Sequence, residues 1–254
     1  RDRLRRGLLV THMLNMGFAN LDKAQDDANF NLIAKHVPDR WVKYEFYCTQ
    51  LYLYLTKDID LTGKLVLEVG SGRGGGANFL AGSKQPQKYT GMDFSPLHVQ
   101  MAQMCFTRGN LEYIVGNACS LPLPDSSQDV VLNCESSHCY PDLTKFYSEV
   151  FRVLRPGGTF VYCDMYSPDK VPGIKSKLLA SGLKMAREED ITDNAAIAIR
   201  RYGPGMMDTF NCSYTPFIQR FMKQWAADYD ANAKYFETRA TVYFFFVLQK
   251  PGSS

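Results

Sequence analysis

No apolar run in the 254 residues approaches the ~20 needed to cross a bilayer, and the longest candidate, from Val242 to Leu248, is strand-sized. An integral membrane segment is therefore not expected. An excess of one charge is missing as well. The 29 Lys plus Arg against 26 Asp plus Glu leave +3, too little to neutralise many phosphates, so nucleic acid is not an expected partner. The seven cysteines (Cys48, Cys105, Cys119, Cys134, Cys139, Cys163 and Cys212) include no C-x-x-C pair and no compact disulfide framework. That pattern points to reduced thiols in a cytoplasmic compartment, and no metal is expected without ligand spacing. Internal repeats and low-complexity tracts are also absent. The chain begins at Arg1 rather than Met, and the Arg1 to Arg6 cluster before Leu8, Leu9 and Val10 reads as a solvated helix start rather than a membrane-touching segment.

What remains describes an ordinary globular chain, 45% hydrophobic and 22% charged, long enough for one large α/β core plus a cap. Residues 4–55 carry helix-spaced apolar and aromatic positions and no strand alternation, so helices are expected there. The texture changes at Lys64 to Val69, a short apolar run ending in glycines, as a buried parallel strand entering a tight turn should. Further strands are expected at 89–93, 111–115, 130–134, 159–164, 183–190 and 238–248, with helices at 96–108, 143–154, about 193–201 and 216–234. Arg155-Pro156-Gly157-Gly158 reads as a turn between helix and strand. The predicted architecture is a seven-stranded, mostly parallel Rossmann-like sheet. Residues 1–60 form a helical lid, 61–254 the main domain, and 193–236 a helical substrate cap before the last strand.

The strongest local signal is the run from Leu65 to Gly76, in which five glycines follow the apolar strand. A bare-backbone loop lets a ligand approach closely, and the helix after it is expected to present free N–H groups. Glycine loops alone are weak evidence, since a dinucleotide fold uses a related turn. Asp93 then closes the next predicted strand about twenty residues on, where its carboxylate can accept both hydroxyls of a ribose.

In this respect the sequence resembles the class I S-adenosylmethionine-dependent methyltransferases, whose first motif E-x-G-x-G-x-G is matched by Glu68, Gly70, Gly72 and Gly74, and whose acidic residue after the second strand is matched by Asp93. The likeness continues through Gly116-Asn117-Ala118, through Leu121 to Val131 and through Phe151 to Gly158. Asn117 replaces the usual Asp, and Gln128 the usual Phe. The resemblance implies S-adenosyl-L-methionine as cofactor and S-adenosyl-L-homocysteine as product. Its amino-acid end is implied near Gly70, Ser71 and Gly72, its ribose at Asp93, and its adenine between Phe94 and Asn117-Ala118. Asn133 and Glu135 complete the implied cofactor set. A nicotinamide cofactor is the competing reading.

The second informative stretch runs from Asn133 to Asp142 after the predicted fourth strand, where the loops of an open α/β sheet line the ligand crevice. His138 is the candidate general base, because a neutral imidazole suits removal of a hydroxyl proton. Asp164, at the end of the next strand, is the candidate group that orients it. The alternative readings are a packing histidine and a loop cap. This run resembles the E-S/A-x-x-H-x-P-D arrangement of sterol, tocopherol, glycolipid and antibiotic-sugar methyltransferases. With the G-R-G-G-G loop, it also resembles the mycobacterial phthiotriol and phenolphthiotriol dimycocerosate methyltransferases. Tyr44, Tyr47, Tyr140 and Tyr202 are the candidate substrate residues of an aromatic cap. Arg200-Arg201 reads as a solvated helix end. The expected function is methyl transfer to a hydroxyl of a hydrophobic small molecule. N-methylation of an amine and a non-catalytic cofactor-binding relative are the alternatives, and a homodimer is compatible with the sequence.

Overall fold

A computed structural model of the chain describes residues 15–37, 39–201, 231 and 233–252, without the side chains of residues 39–44. The readings placed on residues 1–14, on the side chain of Tyr44, on Tyr202 and on most of 216–234 lie outside the described residues. Helices α1 (Lys23–Ala34) and α2 (Asp39–Leu55) precede an alternating unit. That unit comprises β1 (Leu65–Val69), α3 (Gly75–Ser83), β2 (Lys88–Asp93), α4 (Pro96–Cys105) and β3 (Leu111–Val115). It continues with β4 (Gln128–Cys134), α5 (Leu143–Val153), β5 (Leu154–Tyr166), α6 (Val171–Ala180), β6 (Lys184–Asp190) and β7 (Val242–Gln249).

Among the described residues the sheet has seven strands, as the sequence predicts, and their order is β3-β2-β1-β4-β5-β7-β6. The first five are parallel, and β7 enters antiparallel to both β5 and β6. Strand order reverses between β1 and β4, and at such a switch point the two following loops diverge and leave a crevice. Every site residue described below stands at that end of the sheet.

Strand alternation divides the core between two faces. From β7, Tyr243, Phe245 and Val247 point into one cluster, which α1, α2 and α3 cover with Ile33, Leu51, Leu55 and Phe79. Phe244, Phe246 and Leu248 point into the other, covered by Phe146, Tyr147 and Val150 of α5 and by Ile174 and Leu178 of α6. The apolar run of β7 therefore reflects a strand buried on both sides. The N-terminal helices share the first cluster with the sheet.

Three boundaries differ from expectation. The Arg155 to Gly158 turn is a bulge inside β5: Gln128 pairs with Leu154 and Val130 with Thr159, and Gly157 turns through φ 79° while its N–H reaches Lys250. Helix α4 stops at Cys105 because Phe106 is extended, while Arg108 is drawn to the Asn78 carboxamide at 2.7 Å. Strand β7 begins at Val242 because Thr238 to Thr241 still close the preceding helix, with Arg239 at φ 57°. Arg200 pairs with Glu237, but Arg201 is not a solvated helix end: its guanidinium meets the buried carboxyl of Asp26.

Phe146 is fully buried, with its ring against Tyr140, Tyr147 and Phe160, and thus ties α5 to the sheet and to the crevice. Phe146→Ala is expected to cost about 3–5 kcal/mol of unfolding free energy, read by urea denaturation. A loss below 1 kcal/mol would mean that the aromatic cluster does not carry this contact.

Candidate active site

The β1–α3 loop is fixed by its own backbone. Gly70 turns at φ 77°, its N–H and that of Ser71 both donate to the Met92 carbonyl at 2.8 and 2.9 Å, and the Gly74 N–H returns to Ser71 at 3.0 Å. The Gly72 N–H donates to Asp93 Oδ2 at 2.8 Å. Each N–H of Gly70, Ser71, Gly72 and Gly74 is thus engaged within the fold, so these loop groups do not form a phosphate cradle. Bare backbone is needed for another reason. A Cβ on Gly70 would lie 2.1 Å from Ser136 Oγ, and one on Gly76 would lie 2.0 Å from the Tyr52 ring.

These elements enclose a cavity of about 580 Å³ at the switch point, within the size range of small-molecule sites. Of the site residues expected from the sequence, Gly70, Ser71, Gly72, Asp93, Phe94, Asn117, Ala118, Glu135 and Tyr140 line it. The buried Ser71 hydroxyl has no partner among the described protein groups, which leaves a polar atom for a ligand to satisfy. Asn117 Oδ1 accepts the Cys119 N–H at 2.8 Å, so the carboxamide caps its own turn.

Three predicted cofactor residues stand one layer behind the cavity. Glu68 is buried beneath the loop and Gly74 is the left-handed N-cap of α3. Asn133 uses Nδ2 on the Val69 carbonyl at 2.9 Å and on Ser136 and Tyr140, and so positions the two residues that do line the cavity. Tyr47 is half-buried against Phe46 and Gly17, away from the cavity. Sequence reasoning did not single out Asn15, Met92, His98 and Cys119, which line it too. Asn15 arrives from far along the chain with no local signal. His98 lies five residues beyond Asp93 in the first turn of a Ser95-capped helix, a spacing from which it was findable.

Two buried carboxyls have shifted acidity. Burial pushes Glu68 up to about 7, although Tyr52 and Tyr89 donate their hydroxyls to it at 2.7 and 2.9 Å. Burial also pushes Glu135 up to about 7, against the Tyr243 hydroxyl and the Met16 N–H at 2.7 Å, which donate to Oε1. Glu135 sits at φ 48°, a backbone conformation that aims it across the cavity edge.

The structure brings His138 and Asp164 together. Asp164 is fully buried, and all its acceptor sites face donors. Oδ1 takes the His138 ring at Nδ1 (2.7 Å) and the Met165 N–H (2.8 Å), while Oδ2 takes the His138 N–H (3.1 Å) and the Ser137 hydroxyl. With Nδ1 committed to Asp164, Nε2 is the nitrogen left to exchange a proton. The Asp164 hydrogen bond raises the His138 pKa above its ordinary 6.5. The imidazole is about one-third exposed, on a short 3-10 turn between the cavity-lining residues Ser136 and Cys139.

A carboxyl whose pKa is higher folded than unfolded binds extra protons on folding, so its stabilisation is present below about pH 4.5 and is lost as pH rises through about 7. Glu68→Gln, neutral at every pH, should remove that loss. Unfolding free energies from urea titrations at pH 5 and pH 8 should differ less in the variant than in the wild type, by on the order of 3 kcal/mol. An unchanged difference would show that Glu68 is ionised in the fold throughout.

Residues 67–162 match the family described as a methyltransferase domain. The phthiotriol/phenolphthiotriol dimycocerosates methyltransferase of Mycobacterium tuberculosis is 40% identical over 141 residues, covering 56% of this chain and 52% of that protein. The fatty-acid O-methyltransferase of Mycolicibacterium smegmatis is 41% identical over 145 residues, covering 57% of this chain and 53% of that protein. The chain thus spans about half the length of the curated relatives it matches. A solved structure of phosphoethanolamine N-methyltransferase 2 from Haemonchus contortus, in complex with S-adenosyl-L-methionine, has a TM-score of 0.73 at 18% identity, covering 89% of this chain and 57% of that one, a likeness of fold. Strand order, cavity and the match over residues 67–162 agree: the segment from β1 to β5 carries a methyltransferase domain with the fold of S-adenosylmethionine-dependent methyltransferases.

Proposed function

We propose that the protein transfers a methyl group from S-adenosylmethionine to a hydroxyl oxygen of an apolar, lipid-like small molecule. The observation that carries this reading is the His138–Asp164 pair, an imidazole held by a buried, fully hydrogen-bonded carboxyl; neither residue lines the cavity itself, but His138 stands on the short turn between its lining residues Ser136 and Cys139. When bound, S-adenosylmethionine supplies a methyl carbon made electrophilic by its sulfonium. Gly70, Ser71 and Gly72 would hold its amino-acid end, Asp93 its ribose, and Phe94 with Asn117-Ala118 its adenine. The engaged N–H groups of the loop and the carboxyls of Asp93 and Glu135 suit a cation better than the pyrophosphate of a dinucleotide. This favours the sulfonium over the nicotinamide reading.

His138 would take the acceptor's proton on Nε2 as the oxygen forms its new bond, and Asp164 would act as a positioning residue that orients the ring and stabilises the imidazolium. Tyr140, whose hydroxyl contacts Ser136 and Asn133, shapes the wall between cofactor and acceptor. On this reading Asn15, which lines the cavity, belongs to the lid expected over residues 1–60, and the substrate cap expected over 193–236 falls for the most part outside the described residues. Relatives named for a dimycocerosate lipid and for a fatty acid support a lipid acceptor. They differ in chemistry: a hydroxyl must lose a proton, whereas a fatty-acid carboxylate is already ionised at pH 7.

Transfer of labelled methyl from S-adenosylmethionine to long-chain alcohols and, separately, to long-chain fatty acids tests the reading. With an alcohol, His138→Ala should lower kcat about 10²–10⁴-fold while leaving S-adenosylhomocysteine affinity within about twofold. The rate should rise with pH through a midpoint above 6.5, and Asp164→Asn should move that midpoint down while lowering the rate. Activity confined to fatty acids and indifferent to His138→Ala would overturn the hydroxyl assignment.

A further inference from the structure

Behind the His138–Asp164 pair lies a chain of buried hydroxyls. The Ser137 hydroxyl meets Asp164 Oδ2, Tyr162 Oη stands 2.6 Å from Ser137 Oγ, and Tyr147 Oη stands 2.9 Å from Tyr162 Oη. Ser137, Tyr147, Tyr162 and Asp164 are all fully buried, and they come from the 3-10 turn over Ser137–Cys139, from α5 and from β5. For packing alone, phenylalanine would serve at both tyrosine positions, as Phe146 and Phe160 do beside them. A buried hydroxyl costs free energy unless it is bonded, so the two phenols need their partners.

Donor and acceptor chemistry fixes the direction of this chain. A carboxylate accepts and does not donate, so the proton of Ser137 lies toward Asp164 Oδ2. With that proton committed, Ser137 Oγ can only accept from Tyr162, and Tyr162, its own proton committed to Ser137, can only accept from Tyr147. Tyr166 Oη, 3.4 Å from Ser137 Oγ, faces the other lone pair. Burial pushes the Tyr147 and Tyr162 phenols above their usual range, so both keep their protons. The hydroxyl dipoles therefore add head to tail toward the carboxylate, and in a water-free interior each such bond polarises the next.

We infer that Ser137, Tyr162 and Tyr147 are positioning residues that act on His138 through Asp164: three hydroxyls in series share the charge of the carboxylate and so limit how tightly the imidazole is held in its protonated form. This deepens the hydroxyl-methylation reading and rests on it, since a general base must release its proton between turnovers as well as accept one. Asp164 from β5 and Glu135 at the end of β4 are the charged groups that act on His138, and both favour its protonated form. Substitutions along the hydroxyl chain leave both carboxyls in place.

An NMR titration of the His138 ring, in protein isotopically labelled at histidine and with the His138 signals identified by their loss in His138→Gln, tests this. Ser137→Ala removes one donor from the carboxylate and should move the His138 midpoint up by about one pH unit. Tyr162→Phe, which removes one oxygen and keeps the ring packing, should move it up by on the order of 0.3 unit, and Tyr147→Phe by less in the same direction. The phenylalanine variants carry the test if the alanine variant does not fold. A Tyr162→Phe midpoint within about 0.1 unit of the wild type would overturn the inference, because hydroxyls with a packing role alone would change stability and leave the midpoint in place. A downward shift in Ser137→Ala or Tyr162→Phe would overturn it as well. Methyl transfer to an alcohol that is indifferent to His138→Ala, with the midpoints still graded, would instead remove the hydroxyl-methylation reading while the action of the chain on His138 stands, so the two failures are distinguishable.

Discussion

A carboxyl group taken out of water must be met by donors, and four such groups stand at the ends of four adjacent strands. In the sheet order β2, β1, β4, β5 they are Asp93, Glu68, Glu135 and Asp164. The donors that each recruits are what build the crevice. Asp93 gathers the Gly72 loop and the start of α4, and Glu68 draws Tyr52 of α2 and Tyr89 of β2 beneath the loop. Glu135 ties the segment at Met16 to Tyr243 of β7, while Asp164 fixes Ser137 and His138. An unmet carboxyl at any of these positions would cost several kcal/mol, so the surrounding loops are held by polar necessity more than by apolar packing.

The four groups are not equivalent once satisfied. Asp164 is spent wholly on orienting its neighbours, and most of Asp93 is spent on the loop and α4. Glu68 and Glu135, pushed up to about 7 by burial, are the pair whose charge changes near neutrality. Only Asp93 and Glu135 line the cavity, which makes it acidic at the edge and apolar along its walls, with Val69, Met92, Phe94 and Ala118. Such a cavity favours a compact cation with an aromatic base over an anionic cofactor.

The sheet was legible in the sequence because its signal is local. Short apolar runs mark β1, β4 and β7, and a glycine or a carboxylate closes or directly follows β1, β2 and β4. Boundaries failed where a local signal had two outcomes. The Pro156-Gly157-Gly158 turn is equally good as a helix stop and as a bulge, and only pairing with β4 decides. In the site, loop residues and the His138–Asp164 pair were legible because motif spacing carries them. Glu68, Gly74 and Asn133 sit in the motif but behind the cavity, since a motif records what a site requires and not which atoms face inward. Asn15 was illegible: it reaches the cavity through contacts of its segment with Cys48 and Glu135, groups separated by 33 and 119 positions.

That distance shows how the two ends of the chain cooperate. Strand β7, inserted between β5 and β6, sets Tyr243 opposite Met165 in register, and from there its hydroxyl reaches Glu135. The backbone of Tyr243 in turn engages Ile191 and Thr192, at the head of the helix over residues 192–201, whose Asn194 exchanges two hydrogen bonds with Ala19 at 2.8 and 3.1 Å. Ala19 is thereby held by the C-terminal part of the chain, while Phe18 donates its N–H to the Tyr47 carbonyl of α2 and Met16 donates to Glu135. A cavity wall built this way cannot form from the methyltransferase motifs alone. The motif strands supply the cofactor side, while Asn15 is held on the cavity by Cys48 of α2 and, through Met16, by Glu135, whose carboxyl the Tyr243 hydroxyl of the antiparallel β7 also meets.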